Sequence, residues 1–370
     1  MFIITFIIIL AVIILVHEFG HFIVAKKSGI RVDEFGLGFP PRAWGKKFGD
    51  TLYSLNWIPF GGFVKIFGED PHDKTISEKD KPSSFYYKPR YIQALVLLAG
   101  VTFNILFAAV LFSIGFMIGQ PATPETSQFG TLQNPQLTIT AVLPGSPAQK
   151  SGLQAGDKLL FVDADQNGIQ ASKKTGQLTA DDVYNTVIHS EGNLISVLFQ
   201  RGDGPPQTAF IHPTDGIIPG HKAVGISMDT VGTLKLPFHL AIVQGIITTG
   251  QLGWAIAGGL FHFIWTAVTM HTGFSQVSGP IGIAGEVKQA SALGFVYVLS
   301  FAALISLNLA VINLIPFPAL DGGRLLFVII EAIIRRPIPH TVTKWVNMIG
   351  FLVLIILMVV ITTADVIKLF

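Results

Sequence analysis

The stretch that decides the fold is residues 2–25, FIITFIIILAVIILVHEFGHFIVA. A helix needs about 20 mostly apolar residues to cross a bilayer, and this run is long enough. It stays apolar until His17-Glu18-Phe19-Gly20-His21 near its end. Ionisable side chains inside a span are costly and are retained for function, so three within five residues mark a candidate site. On a helix, residues i and i+4 share a face, so the imidazoles of His17 and His21 can reach one ion. Glu18 falls beside that face, where a carboxylate can act as general base on a metal-bound water. The bland alternative is a hydrogen-bonded polar patch between helices.

Composition agrees with a membrane protein. Half of the 370 residues are apolar and 13% are charged, where a soluble domain carries about 25%. The net charge of +2 gives no reason to expect nucleic acid as a partner. There are no cysteines, so disulfides and thiolate ligands are excluded, and a metal site must use His, Asp or Glu.

Three further stretches qualify as spans: Ile92 to Ile118, roughly Phe295 to Leu320, and Val346 to Thr363. The first run has neither a basic start nor a small-residue cleavage site, so it reads as a retained helix rather than a signal peptide. Lys26, Lys27, Arg31, Arg42, Lys46, Lys47, Lys65, Lys88 and Arg90 lie between the first two spans, and Arg324, Arg335, Arg336 and Lys344 follow the third. The positive-inside rule puts both segments in the cytoplasm. Both termini and the long segment from Gly119 to Gly294 then lie outside, in a cell inner (plasma) membrane. Leu236 to Gly285 contains no Asp, Glu, Lys or Arg. It could span or lie in the interface; a single extra crossing would carry the end of the third span away from the His pair. An interfacial or partly re-entrant amphipathic helix is therefore expected.

Between about Pro135 and Pro213 the pattern turns β-rich. Strands are expected at Leu137–Val142, Lys158–Val162, and Leu194–Gln200 paired with Thr208–His212, the last two joined by a Gly202-Asp203-Gly204 turn. A short helix fits Ala180–His189. Residues 142–160, VLPGSPAQKSGLQAGDKLL, resemble a bacterial PDZ domain through Ser146-Pro147-Ala148 and the Gly152-Leu153 to Gly156-Asp157 spacing. Such a domain takes an extended peptide as an added strand; alternatively it only packs on the membrane face. The expected organisation is thus an α-helical polytopic membrane protein of about four transmembrane helices with an inserted β-rich PDZ domain. Its parts are a membrane part over 1–119, the PDZ domain over 135–215, an interfacial region over 236–285 and a membrane part over 295–370.

A third ligand is sought at equal depth. Asp321 ends the run Asn313-Leu-Ile-Pro316-Phe-Pro318-Ala-Leu-Asp321-Gly322-Gly323, whose prolines break the helix. Broken backbone at membrane depth is tolerated where it is buried in protein or lines a water-filled cavity. The third span runs inward, so Asp321 ends near the cytoplasmic side, as His17 and His21 do. The alternative is a helix-terminal carboxylate facing water.

These residues resemble the site-2 protease family, the intramembrane zinc metalloproteases of peptidase family M50. HEFGH at 17–21 and NLIPFPALDGG at 313–323 match its two metal motifs, and the likeness extends over nearly the whole chain, including Ser278-Gly279-Pro280-Ile281-Gly282. The layout is similar to the bacterial single-PDZ branch that regulates envelope-stress anti-sigma factors. The resemblance implies that His17, His21 and Asp321 bind Zn2+, that Glu18 is catalytic, and that single-pass membrane proteins are cut within their transmembrane segments. It also favours the loop Pro59–Gly68, with a hairpin turn at Gly61-Gly62, as a strand edge for substrate through Gly62, Phe63 and Val64; the alternative is an ordinary cytoplasmic hairpin. Asn313 could hold the substrate backbone or a developing oxyanion, or make a helix–helix hydrogen bond. One departure stands out: the family often carries Gly-Pro-x-x-Asn in the second span, and here the run is Gly100-Val101-Thr102-Phe103-Asn104, which leaves the role of Asn104 open. Rival classes are a non-cleaving membrane scaffold with a structural zinc site and a transporter with a midplane metal site.

Overall fold

A computed structural model describes residues 2–69, 76–164, 178–202, 204–218, 221–269 and 279–367. In chain order, α1 (Phe2–Lys27) is followed by β1 (Val32–Phe48), β2 (Thr51–Ile66) and α2 (Arg90–Ile118). Then come β3 (Gln120–Ala122), β4 (Gln133–Val142), α3 (Pro147–Lys150), β5 (Asp157–Asp163), α4 (Ala180–His189), β6 (Ile195–Arg201), β7 (Pro206–Ile211), β8 (Thr214–Ile218), β9 (His221–Ala223) and β10 (Ile226–Leu234). The chain closes with α5 (Phe238–Val268), α6 (Pro280–Leu293), α7 (Phe295–Leu314), α8 (Asp321–Ile334) and α9 (His340–Ile367). Two compact units result: residues 1–114 with 245–370, and residues 115–244.

The helical unit explains its own solvent. Among the described residues, five helices are long and apolar enough to cross a membrane: α1, α2, α5, α7 and α9. Only 6% of the apolar window of α9 is buried within the protein, and Phe351, Leu352 and Ile356 are exposed on it. An apolar face of that size is stable in lipid and not in water. This is a polytopic membrane protein with a separate β-rich unit.

Of these five helices, α5 falls in the 236–285 segment expected to lie in the interface or re-enter the membrane, and its length and composition would also suffice for a crossing. Residues 238–268 form one unbroken helix of 31 residues, about 46 Å at 1.5 Å per residue. Nothing interrupts it, because the stretch holds neither proline nor charge. Gly245 lets it close on α2: a Cβ there would meet Ser113 and, at 2.9 Å, the Ala109 carbonyl.

The hairpin after α1 differs from the expectation. Its turn lies at Gly49-Asp50, where Phe48 pairs with Thr51, and Gly49 has a φ of 57°. Gly61-Gly62 is not a hairpin turn but lies inside β2. The long strands are bent, so Gly36 pairs with both Phe63 and Ser54, and Leu37 with both Gly62 and Leu55. The start of β1 is therefore central, and residues 62–66 form an outer segment with one edge bare of strand partners among the described residues. The physical reason is that β1 offers two edges, and the two glycines let β2 curve back to fill the second.

The β-rich unit has a six-stranded sheet in the order β3-β10-β4-β5-β6-β7. Alternation places Ile195, Val197 and Phe199 of β6 in the core with Leu137, Ile139 and Leu159, and α4 covers them with Val183 and Val187. Two local signals set the helices. Ser146 caps α3 through the Gln149 amide, and Thr179 with Asp182 forms a capping box at α4, the arrangement that satisfies otherwise unpaired N–H groups. β6 and β7 pair from Ile195–Ile211 to Gln200–Pro206; Asp203 of the anticipated turn lies outside the described residues. The unit extends past the anticipated 135–215 at both ends, because β10 inserts between β3 and β4. ISMDTVGTL lacks clean alternation, so β10 was not legible as a strand.

With no native cysteine, single-cysteine variants report lipid exposure directly. In open membrane fragments, cysteines replacing Leu352 on α9 and the 83% exposed Trp254 on α5 are expected to resist a charged maleimide until detergent is added, whereas one replacing Phe210 on β7 reacts at once. Prompt labelling at 254 would put α5 outside the lipid.

Candidate metal centre

Helix α1 supplies the first two side chains. His17 and His21 sit one turn apart with ring centroids 4.8 Å apart and planes at 82°. Both are buried. Burial comes from α2, which crosses α1 at two glycines. A Cβ on Gly20 would lie 2.6 Å from the Ala99 carbonyl oxygen. A Cβ on Gly100 would lie 2.6 Å from His17 Cε1 and against His21 Nε2. Only hydrogen at these positions lets the two helices and the imidazoles share the space.

Asp321 arrives from far along the chain. α7 ends at Leu314, and Pro316 and Pro318 keep the next residues out of helix. The turn is tight: Ala319 has a φ of 73°, and its amide donates to Asn347 Oδ1 of α9 at 3.3 Å. Gly322 and Gly323 let α8 start directly against this turn, since Cβ atoms there would strike the carbonyl oxygens of Ile315 and Phe317. Asp321 is the first residue of α8, where the positive end of the helix dipole favours a carboxylate.

The three side chains converge. His17 Nε2 lies 3.0 Å from Asp321 Oδ2, His21 Nε2 lies 3.2 Å from the same oxygen, and the two Nε2 atoms are 3.2 Å apart. Ligand atoms about 2.0–2.1 Å from a tetrahedrally bound ion stand roughly 3.3 Å from one another, so this triangle fits one metal ion. His17, His21 and Asp321 form a potential metal-binding group among the described residues.

Glu18 lines the same cavity, of about 200 Å³. Phe63 and Val64 form part of its wall, and Gly62 brings the outer segment of β2 so close that a Cβ there would lie 3.6 Å from Glu18 Cγ. Asn313 points at the centre, with Nδ2 3.4 Å from His17 Nε2. All eight residues singled out from the sequence thus lie at or beside one cavity.

Sequence reasoning missed two others. Arg324 and Glu69 line the cavity and pair at 3.0 Å, tying the end of the hairpin to α8. Arg324 follows Asp321 by one helical turn and so shares its face, a readable signal; Glu69 carried none. Asn104, whose role was open, lies with Nδ2 3.3 Å from His17 Nδ1, while Val96 O accepts from or faces His21 Nδ1 at 2.8 Å.

The comparisons agree in kind. The profile of peptidase family M50 matches residues 5–357. A protein provisionally named a zinc metalloprotease in Clostridium perfringens is 36% identical over 99% of both chains. A similarly named Nostoc protein is 33% identical over 94% of this chain and 91% of its own. Zinc metalloprotease RasP of Geobacillus kaustophilus is 26% identical over 100% of this chain and 98% of its own.

Because Gly100 has no room for a side chain, Gly100→Ala is expected to lose bound metal while its helical content is unchanged. Stoichiometric metal in that purified variant, by elemental analysis, would refute the packing described.

Proposed function

The chain belongs to peptidase family M50, and from that premise we propose that it is an intramembrane zinc metalloendopeptidase cutting single-pass membrane proteins within their transmembrane segments. His17, His21 and Asp321 hold the Zn2+, and Glu18 is the general base. The observation that carries this reading is the 3.0–3.2 Å triangle of two imidazole nitrogens and one carboxylate oxygen with Glu18 lining the same cavity.

Zinc held by these three residues would supply Lewis acidity for peptide-bond hydrolysis. Glu18 takes the proton of the attacking water and passes it to the departing amine. Asn313, beside His17, is positioned to donate to the substrate carbonyl as negative charge develops on it. The buried walls keep bulk water from the charges, which strengthens each interaction.

A substrate helix satisfies its own backbone groups, so it must open before it can be cut. The bare edge at residues 62–66 provides pairing for the opened segment. Gly62, Phe63 and Val64 would receive it as an added strand, with Gly62 bringing the backbone past Glu18. The β-rich unit is read as a PDZ domain. Its support is the capped Ser146-Pro147 helix start and α4 covering the sheet core; it would bind an extended peptide or screen the outer parts of substrates. With α5 re-entering or lying along the membrane rather than crossing it, the Lys and Arg of the hairpin and α8 support a cytoplasmic metal centre, with both termini and the β-rich unit outside the plasma membrane. Regulated intramembrane proteolysis, such as anti-sigma factor cleavage, suits this arrangement.

A scaffold with structural zinc is the second reading. Structural zinc sites carry four protein ligands, whereas catalytic ones carry three and leave a position for water; the cluster of three found among the described residues favours catalysis.

Glu18→Gln is expected to keep stoichiometric zinc and lose cleavage of a reconstituted single-pass substrate by roughly 10²–10⁴-fold. The same variant should retain uncut single-pass proteins, identifiable by mass spectrometry. Cleavage at the wild-type rate would reject the assignment.

A further inference from the structure

We propose that Asn104 is a positioning residue for the metal centre, its side-chain oxygen accepting the Nδ1 proton of His17 when Nε2 holds zinc. The inference rests on the ligand assignment above. It starts from an imbalance in the hydrogen bonding. Asn104 is fully buried, and its Oδ1 has no hydrogen-bond partner among the described residues while its Nδ2 lies 3.3 Å from His17 Nδ1. A buried carbonyl oxygen left unpaired is costly, by about 1–3 kcal/mol, and such atoms ask for an explanation.

The chemistry of a ligating imidazole supplies one. A neutral histidine bound to metal through Nε2 carries its proton on Nδ1, so that nitrogen is a donor. Ligating histidines almost always give this proton to a carboxylate, carbonyl or water, which fixes the ring and its tautomer. His21 has such an acceptor in the Val96 carbonyl, 2.8 Å from Nδ1. His17 has Asn104 in the equivalent place, but with the amide nitrogen facing the ring. The two ends of an amide are interchangeable by a half-turn. Turned, Oδ1 accepts the Nδ1 proton and gains its partner, and Nδ2 takes the side where the oxygen now stands. As it stands, Nδ2 donates to an unprotonated Nδ1, which suits His17 when Nε2 keeps its proton and bonds Asp321 at 3.0 Å. An amide serves both forms; neither a carboxylate nor an apolar group does.

The backbone of Asn104 is itself fixed. Ser306 of α7 donates to its carbonyl oxygen at 2.9 Å, so α7 and α2 are locked together at this residue. Gly100, one turn away on the same face of α2, leaves room for both rings. The valine at 101 therefore does not displace Asn104 from His17.

The test is zinc affinity by chelator competition, with the metal-free fold followed by circular dichroism. Asn104→Ala and Asn104→Leu remove the acceptor, the latter without leaving a cavity. Both are expected to bind zinc roughly 10- to 100-fold more weakly. Asn104→Asp keeps an acceptor of the same size and is expected to retain wild-type affinity within a few-fold. Wild-type affinity in the alanine and leucine variants, or an aspartate variant as weak as those two or unable to fold, overturns the proposal. Absence of stoichiometric zinc in the wild type would instead sink the ligand assignment itself, so the two failures are distinguishable.

Discussion

The structure depends on keeping three polar side chains in contact at membrane depth, where lipid offers no hydrogen bonds. Each of His17, His21 and Asp321 must be surrounded by protein, and each must point at the same spot. His17 and His21 come from one helix and are aligned by its period alone. Asp321 comes from a segment 300 residues later than His21, and everything between must bring it to their level. The 3.0 and 3.2 Å separations are the outcome of that constraint.

Backbone shape does most of this work. Gly20 and Gly100 let α2 lie against α1 without side chains in the way, while Gly322 and Gly323 let α8 begin against the end of α7. Pro316 and Pro318 end one helix so that another can begin with Asp321 at its N-terminus. Gly350 of α9 completes the set, since a Cβ there would lie 2.8 Å from the Pro318 carbonyl oxygen. The ligands are thus held by elements in close backbone contact, which resist displacement better than loops do. The outer shell extends the logic to hydrogen bonds: Val96 faces one imidazole, Asn104 the other, and the Glu69–Arg324 pair ties the hairpin to α8.

The β1–β2 hairpin shows why an edge can persist next to such a centre. Bare strand edges invite pairing with other chains. Here Phe63, Val64 and Ile66 of the edge segment line the cavity that holds Glu18, so the edge runs beside the metal centre.

Much of this was legible in the sequence. HEFGH, the apolar runs and the broken helix before Asp321 are local signals, and local physics decides them: helical period, hydropathy and the conformational limits of proline. α4 at Ala180–His189 and the β6–β7 pairing were readable for the same reason. Whether α5 crosses the membrane is not a local property, since parity of crossings depends on every other span. The hairpin turn was misassigned because Gly-Gly signals only freedom to bend, and which edge the bent strand fills depends on partners elsewhere. The sequence by itself determined the kinds of groups and the helices that carry them. Only the tertiary structure decided that Asn104, Glu69 and Arg324 belong to the centre and that residues 62–66 remain an open edge, because contacts between segments distant in the chain are set by packing and leave no local period to read.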